Sequence, residues 1–362
     1  MKKVLLISKE WSTKKNTGLA IASSEHENIL KFLNFQVLTV SEKKYDKDRS
    51  VDINFFLKPF SYIGKCKKII YEYNPDIIIV ESLQTIISEV FLYLAYKNKI
   101  VSVLISHGIS IYPYKLRAKY ILRSLIWVMY LPLLIFLLKK LNHFFSLDID
   151  SKNQRHLDKK IYYKLHNGKN LYEFNNFSRF EENHSKVLVN KVRKTILCLG
   201  YINHIKNQKC LVEISKKIQD LDIQIKIVYN FFDEKYFNEL KKMIVKNDIK
   251  NIFIVHESET NVVNEIINCW LLINTSITEV LPLSLIEGNS LSKMFISFNI
   301  GSIKRLKGGV INQNIKQMIL NIRSLYFNSF FISRFENIAQ EDYNNNFLKK
   351  KLVKSFSRIL QF

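Results

Sequence analysis

The chain has 362 residues, room for two domains, and 47% of them are apolar, which excludes a disordered or fibrous polypeptide. Lys and Arg number 55 against 32 Asp and Glu, and the formal charge of +23 favours anionic partners: phosphates, nucleic acid or an acidic lipid surface. Four scattered cysteines, Cys66, Cys198, Cys210 and Cys269, make no CxxC or Cys/His cluster, which speaks against a zinc site or a disulfide framework and for the reduced cytosol.

The opening MKKVLLISKEW has too short an apolar run for a signal-peptide core and reads as a first buried strand, KVLLIS (3–8). A helical stretch follows around 18–33, then the strand FQVLTV (35–40). DIIIVES (76–82) comes after Pro75 and leads into a helical run to about 97, which gives way to IVSVLISHG (100–108). Ser124–Leu138, SLIWVMYLPLLIFLL, carries no charge over 15 residues. A spanning helix needs about 20, and Pro132 would kink one. Arg117, Lys119 and Arg123 precede the run, and Lys139 and Lys140 follow it. It fits a buried helix pair or a surface helix dipping into anionic lipid.

HFFSLD (143–148) is a further strand, and a polar stretch spans roughly 175–194. The alternation then restarts with TILCLGY (195–201), a helix to about 219, IQIKIVYN (223–230), a helix to about 247, NIFIVHE (251–257) and CWLLINTS (269–276). Near-continuous apolar strands separated by helices indicate parallel sheets covered on both faces. Two such runs mean two Rossmann-like domains: 1–175, then a linker over 176–194, then 195–340. The end, 341–362, reads as an amphipathic terminal helix that packs back on the N-terminal domain.

One stretch carries chemistry. In ITEVLPLSLIEG (277–288), Glu279 and Glu287 bracket an apolar turn. The strand ends near Ser276, and Pro282 suits the first turn of a helix running to about 292. Glu279 then lies in the loop and Glu287 on the helix, both toward the crevice where open α/β sheets bind ligands. The free N–H groups of the first helical turn suit a phosphate. Anion and hydroxyls together are what a sugar on a nucleotide diphosphate supplies.

SITEVLPLSLIEG resembles the E-x7-E signature of retaining GT-B glycosyltransferases of the group-one, or family-four, class. GYINHIKNQKCLVEI (200–214) is similar to that family's donor loop. KLHNGKNLYEF (164–174) and IGSIKRL…GGVI (300–311) resemble the family's NG element and its later glycine-containing segments. The resemblance implies an α/β, GT-B fold whose two parallel sheets face a central cleft.

It also implies that Glu279 contacts hydroxyls of the transferred sugar, Glu287 contacts the ribose, and Lys206 neutralises the diphosphate as the nucleotide departs. His107, in LISHGIS, would line the sugar pocket. The loop amides around Val280, Leu281 and Leu283 would cradle the distal phosphate. Tyr201 stands where the family has an arginine, with Lys209 near enough in sequence to compensate. Val280 replaces a family glycine, and Gly18 alone represents a glycine pair.

The expected activity is sugar transfer from a UDP- or GDP-linked donor to a glycan or lipid-linked acceptor, with retention, in bacterial surface polysaccharide synthesis. A non-catalytic membrane- or carbohydrate-binding relative is the alternative. No metal or other cofactor is expected, since the DxD pairs Asp46/Asp48, Asp148/Asp150 and Asp220/Asp222 are scattered away from these elements. Nucleic acid is not expected as a partner, because no RNA-recognition or helix-turn-helix cue is present. An anionic membrane surface is, which places the protein in the cytoplasm, peripheral to the inner face of the cell membrane.

Overall fold

β-Branched and aromatic runs make the strands, and each is long enough to cross a sheet but too short for a helix of its own. The structure, a computed structural model, describes residues 1–9, 18–42, 51, 55–109, 121–147, 157–173, 175–178, 180 and 194–360. It divides into two compact units, 1–174 with 353–362, and 175–352.

The first unit runs β1 (Lys3–Ser8), α1 (Gly18–Phe32), β2 (Gln36–Ser41), α2 (Pro59–Tyr73), β3 (Ile77–Glu81), α3 (Ile87–Lys97), β4 (Val101–Ser106), α4 (Ile121–Lys140), β5 (His143–Ser146), α5 (Leu157–His166) and β6 (Leu171–Glu173). Its sheet is parallel throughout, in the order β2-β1-β3-β4-β5-β6. Every residue of β3 is buried, as a strand covered on both faces requires. Alternate residues Leu5, Ile7, Ile78, Val80, Leu104 and Phe144 face one core, under α2, α3 and α4. The chain leaves β1 toward β2 on one side and returns to β3 on the other. The order therefore reverses between β1 and β3, where Ser8 and Glu81 are register partners.

The apolar run 124–138 is not a helix pair. It lies in the single helix α4, with Pro132 inside. Pro132 and Val128, four residues back, are both exposed, so the carbonyl that loses its donor is on the open side. One side of α4 is core, with Trp127, Leu134, Leu137 and Leu138 buried. The other leaves Met129 at 81% and Val128 at 64% exposure, next to Leu125 and Leu133. Lys140 Nζ sits 4.9 Å from the Tyr96 ring centre on α3. Among the described residues no helix is long and apolar enough to cross a membrane.

The second unit runs β7 (Lys194–Leu199), α6 (Lys209–Lys216), β8 (Ile223–Tyr229), α7 (Glu234–Lys246), β9 (Ile252–His256), α8 (Val262–Asn268), β10 (Leu271–Asn274), α9 (Leu283–Ser290), β11 (Phe295–Phe298), β12 (Gly309–Asn312), α10 (Ile315–Phe327) and α11 (Ser329–Asn346). Its sheet is also parallel, in the order β12-β11-β10-β7-β8-β9. Here the order reverses between β7 and β10. A last helix, α12 (Lys349–Leu360), carries the chain back to the first unit. There Phe356 is fully buried and stacks on Phe145 of β5, ring centres 5.4 Å apart.

Candidate active site

In a doubly wound sheet, the loops after the two strands at the reversal diverge and leave room for a ligand. In the second unit these are the loop 200–208, after β7, and the loop 275–282, after β10. Gly200 opens the first at φ +125°, a conformation open to glycine and rarely to other residues. Its N–H bonds Val228 O of β8 at 3.0 Å. Asn203 Oδ1 accepts from Lys206 N at 2.9 Å, and Gln208 Nε2 donates to Tyr201 O at 2.8 Å, which coils the loop into a tight turn.

The two loops are stitched together. Ile277 N donates to Ile205 O at 2.8 Å, and Thr275 Oγ1 donates to Lys206 O at 2.7 Å. The result aims Lys206 Nζ at Glu279 Oε1, 2.5 Å away, where Ser276 Oγ also donates at 2.9 Å. Lys206 is 29% and Glu279 17% exposed, so the pair is half-sheltered yet reachable from solvent. Burial pushes the nearby Cys198 thiol up to about 12, despite the downward pull of the Lys206 charge, so this cysteine is no nucleophile.

The Glu279 loop is also held from behind. Ser302 N donates to Val280 O at 2.7 Å, and Gly301, at φ +50°, lies flat against the Glu279–Val280 backbone. A methyl group on Gly301 would lie 2.6 Å from Val280 O and closer still to Glu279 O. Pro282 does not begin the helix as a first-turn residue; it is the N-cap, at φ −64° and ψ 116°, and α9 starts at Leu283. Leu281 is buried beneath the turn, and Glu287, five residues into α9, is only 4% exposed. The next residue, Gly288, brings α9 close onto Leu272 of β10.

The structure thus brings Lys206, Glu279, Val280 and Leu281 into two adjoining loops, with Leu283 the first residue of α9. Tyr201 is a third exposed, with its ring 6.3 Å from that of Phe231. Lys209 starts α6, and its ammonium is engaged by Glu239 and lies 4.6 Å from the Tyr236 ring centre. Gly18 and His107 belong to the first unit: Gly18 begins α1, and His107 follows β4. Of the DxD pairs, only Asp220/Asp222 lies among the described residues, and Asp220 takes a bidentate bond from Arg323 at 2.7 and 2.6 Å.

Sequence reasoning missed the residues that fix the loops: Asn203, Thr275, Ser276 and Gly301. Polar residues directly after an apolar strand, as in LLINTS, were the available signal. It also missed a buried cluster in the first unit at the β1/β3 reversal. There Glu81 Oε1 lies 2.6 Å from His26 Nδ1, Glu81 Oε2 accepts from Ser23 Oγ, and Ser23 Oγ meets Ser8 Oγ at 2.7 Å. An acid ending the strand IIIVE was its signal.

Residues 179–310 match the family described as glycosyl transferases group 1. Among solved structures, a glycosyltransferase from Rickettsia africae is 17% identical, with a TM-score of 0.72 over 99% of this chain and 98% of that one. Sucrose-phosphate synthase from Thermosynechococcus elongatus is 11% identical, at 0.77 over 100% and 98%. HepE from Anabaena, solved in complex with UDP, is 12% identical, at 0.70 over 100% of both chains. At these identities the likeness is one of fold, GT-B, over the whole chain. Comparison with curated protein sequences gives no match.

Proposed function

We propose that this protein, a group-one glycosyltransferase with the GT-B fold, moves a sugar from a UDP- or GDP-linked donor to a glycan or lipid-linked acceptor with retention of configuration. The observation that carries the reading is the Lys206–Glu279 pair at 2.5 Å, set on the two loops that flank the sheet reversal inside the family-matched segment. A cation and a carboxylate side by side suit a ligand with a phosphate next to hydroxyls.

In this reading Lys206 binds the diphosphate and Glu279 accepts from the sugar hydroxyls. The amides of Val280, Leu281 and Leu283 receive the distal phosphate. Glu287 takes the ribose hydroxyls, and Tyr201 and Lys209 border the nucleotide. The bond from the sugar's anomeric carbon to the diphosphate oxygen breaks, and the acceptor oxygen bonds that carbon on the same face. The acceptor's proton leaves with the departing phosphate. Charge grows on that phosphate as the bond breaks, so a fixed ammonium favours the transition state over the bound donor. This chemistry asks for no metal.

HepE, which shares the fold, was solved with UDP, which supports uridine diphosphate as the first donor group to try. The exposed apolar side of α4, with Lys139 and Lys140 at its end, supports docking on the anionic inner face of the cell membrane. A lipid-linked acceptor and a role in surface polysaccharide synthesis go with that placement. The test is a thermal-shift screen of UDP-, GDP- and dTDP-sugars, followed by assay of nucleotide release with any donor that binds. Binding and release support the enzyme. Binding without release, with or without added glycan, selects the non-catalytic relative, and no binding to any nucleotide overturns both.

A further inference from the structure

Large apolar side chains stand open to water at a second place in the first unit, apart from α4. The turn that leads into α2 exposes Phe56 by 80% and Leu57 by 78%, and Phe60, in the first turn of α2, is 88% exposed. Phe55 anchors that turn, packing edge-on against Phe56 and against the buried Tyr62 with ring centres 5.8 and 5.5 Å apart. Down α2 the exposed Phe60, Gly64, Lys67 and Tyr71 follow one another at i, i+4, i+7 and i+11, so they share its outer face. A cluster of exposed apolar groups of this kind marks a surface that meets another.

The topology puts this corner on the same side as the open face of α4. The steps from β2 to β3, β3 to β4 and β4 to β5 all run the same way across the sheet. Right-handed crossovers then place α2, α3 and α4 on one face, with α3 in contact with both others. Each of these helices starts at the carboxyl edge of the sheet, because it carries the chain back to the start of a parallel strand. Phe56, Leu57 and Phe60 therefore share that edge with Leu125, Val128 and Met129 of α4, two interhelix spacings or roughly 16–20 Å away. Toward the amino edge the layer exposes Tyr71, Tyr93 and Tyr96, with Lys97 Nζ 5.8 Å from the Tyr93 ring centre.

Charge selects the occupant. Lys58, Lys67, Lys68, Lys97, Lys139 and Lys140 are exposed on this layer. Glu72 is the one exposed acid among the described residues of α2, α3 and α4, and it lies 3.6 Å from Lys68. A second copy related by a two-fold axis would set lysines against lysines. An anionic lipid surface instead takes the lysines at its head groups, the tyrosines at the interface and the phenylalanines beneath. We propose that the first unit lies on anionic lipid along the whole α2–α3–α4 layer, with Phe56, Leu57 and Phe60 entering the bilayer alongside α4. This extends the docking of α4 on the membrane and rests on that reading. It turns the carboxyl edge of the first sheet, and with it the crevice at the β1/β3 reversal, toward the head groups.

The test places tryptophan at single positions and measures quenching by vesicles of brominated phosphatidylcholine and phosphatidylglycerol, relative to the parent protein. Phe60→Trp and Met129→Trp probe the layer. Phe32→Trp is the control: Phe32 is 75% exposed on α1, which crosses from β1 to β2 in the opposite direction and so lies on the other face of the sheet. Added quenching at Phe60 and Met129, with none at Phe32, supports the proposal. Quenching at Met129 alone overturns it and leaves the docking of α4 standing; quenching at Phe60 alone overturns the shared plane, and quenching at neither overturns both. Phe60→Ser should weaken co-sedimentation with unbrominated vesicles of the same two lipids about tenfold or more at an unchanged melting temperature. Unchanged sedimentation overturns the proposal, and a wild-type dimer that Phe60→Ser dissociates without loss of vesicle binding assigns the face to a second copy instead.

Discussion

Gly301 supports the Glu279 loop by having no side chain, and Gly301→Ala tests how tightly that loop is fixed. The added methyl group would meet backbone on one side, 2.6 Å from Val280 O and 2.8 Å from Glu279 C, and backbone cannot rotate away as a side chain can. The residue also sits at φ +50°, where alanine loses about 1–2 kcal/mol. Overpacking of a fixed site adds about 1–3 kcal/mol. Together these give about 2–5 kcal/mol, and a body of this size loses about 2–4 °C of unfolding temperature per kcal/mol, so a drop of about 4–20 °C is expected.

If the loop slides instead, Glu279 is drawn off Lys206, and each 1.4 kcal/mol of lost contact appears as about tenfold weaker donor binding. Differential scanning calorimetry and isothermal titration with UDP measure both routes. Gly64→Ala is the control. Gly64 lies inside α2 with nothing within 4 Å of the new methyl group, so that change should stabilise by about 0.5–1 kcal/mol. Unchanged melting and unchanged UDP affinity in Gly301→Ala would refute the claim that this glycine sets the loop.

Lys206→Ala should lower the rate of nucleotide release much more than it weakens UDP binding, because the charge it meets grows in the transition state; the reverse pattern in steady-state kinetics counts against it. Glu287→Ala should weaken binding of the nucleoside diphosphate. Because Glu287 is 4% exposed, some loss of melting temperature should accompany it, and titration showing full affinity would remove it from the ribose role. The stability that Glu81 contributes is fully present above its ordinary value of 4.5 and drains away as pH falls through its lower folded value. Urea unfolding at pH 3 to 6 should therefore show a shallower acid-side decline in Glu81→Gln than in wild type. Met129→Asp on the open side of α4 should reduce co-sedimentation with anionic liposomes at low salt and leave melting unchanged; equal sedimentation with neutral vesicles would refute the electrostatic part.

The strands were legible wherever a β-branched run was long. KVLLIS, DIIIVES and IQIKIVYN stand within a residue or two of β1, β3 and β8. β6, β11 and β12 were not: a three- or four-residue segment such as FISF carries little pattern of its own, and β5 and β10, equally short, were read only within the longer runs HFFSLD and CWLLINTS. Of the two readings of the α4 run, a buried helix pair or a surface helix, the pair fails, because Pro132 sits within one continuous helix where the lost hydrogen bond faces outward. Glu279 and Glu287 could be read because their relation is local, fixed by one turn and one helix. The Lys206–Glu279 contact spans 73 residues and the His26–Glu81 contact 55. Both depend on which strands become neighbours, information carried by the whole sheet and by no single segment.

The return of residues 353–362 to the first unit has a consequence for synthesis. A polypeptide emerging from its amino end assembles β1 to β6 early, but the ring that covers Phe145 and His26 arrives only after the entire second unit has been made. Until then Phe145 and His26 lack the ring of Phe356 that packs against them. The first half of the chain is therefore the last to be finished, and a nascent chain halted before residue 353 would present chaperones with an incomplete first unit beside a complete second one.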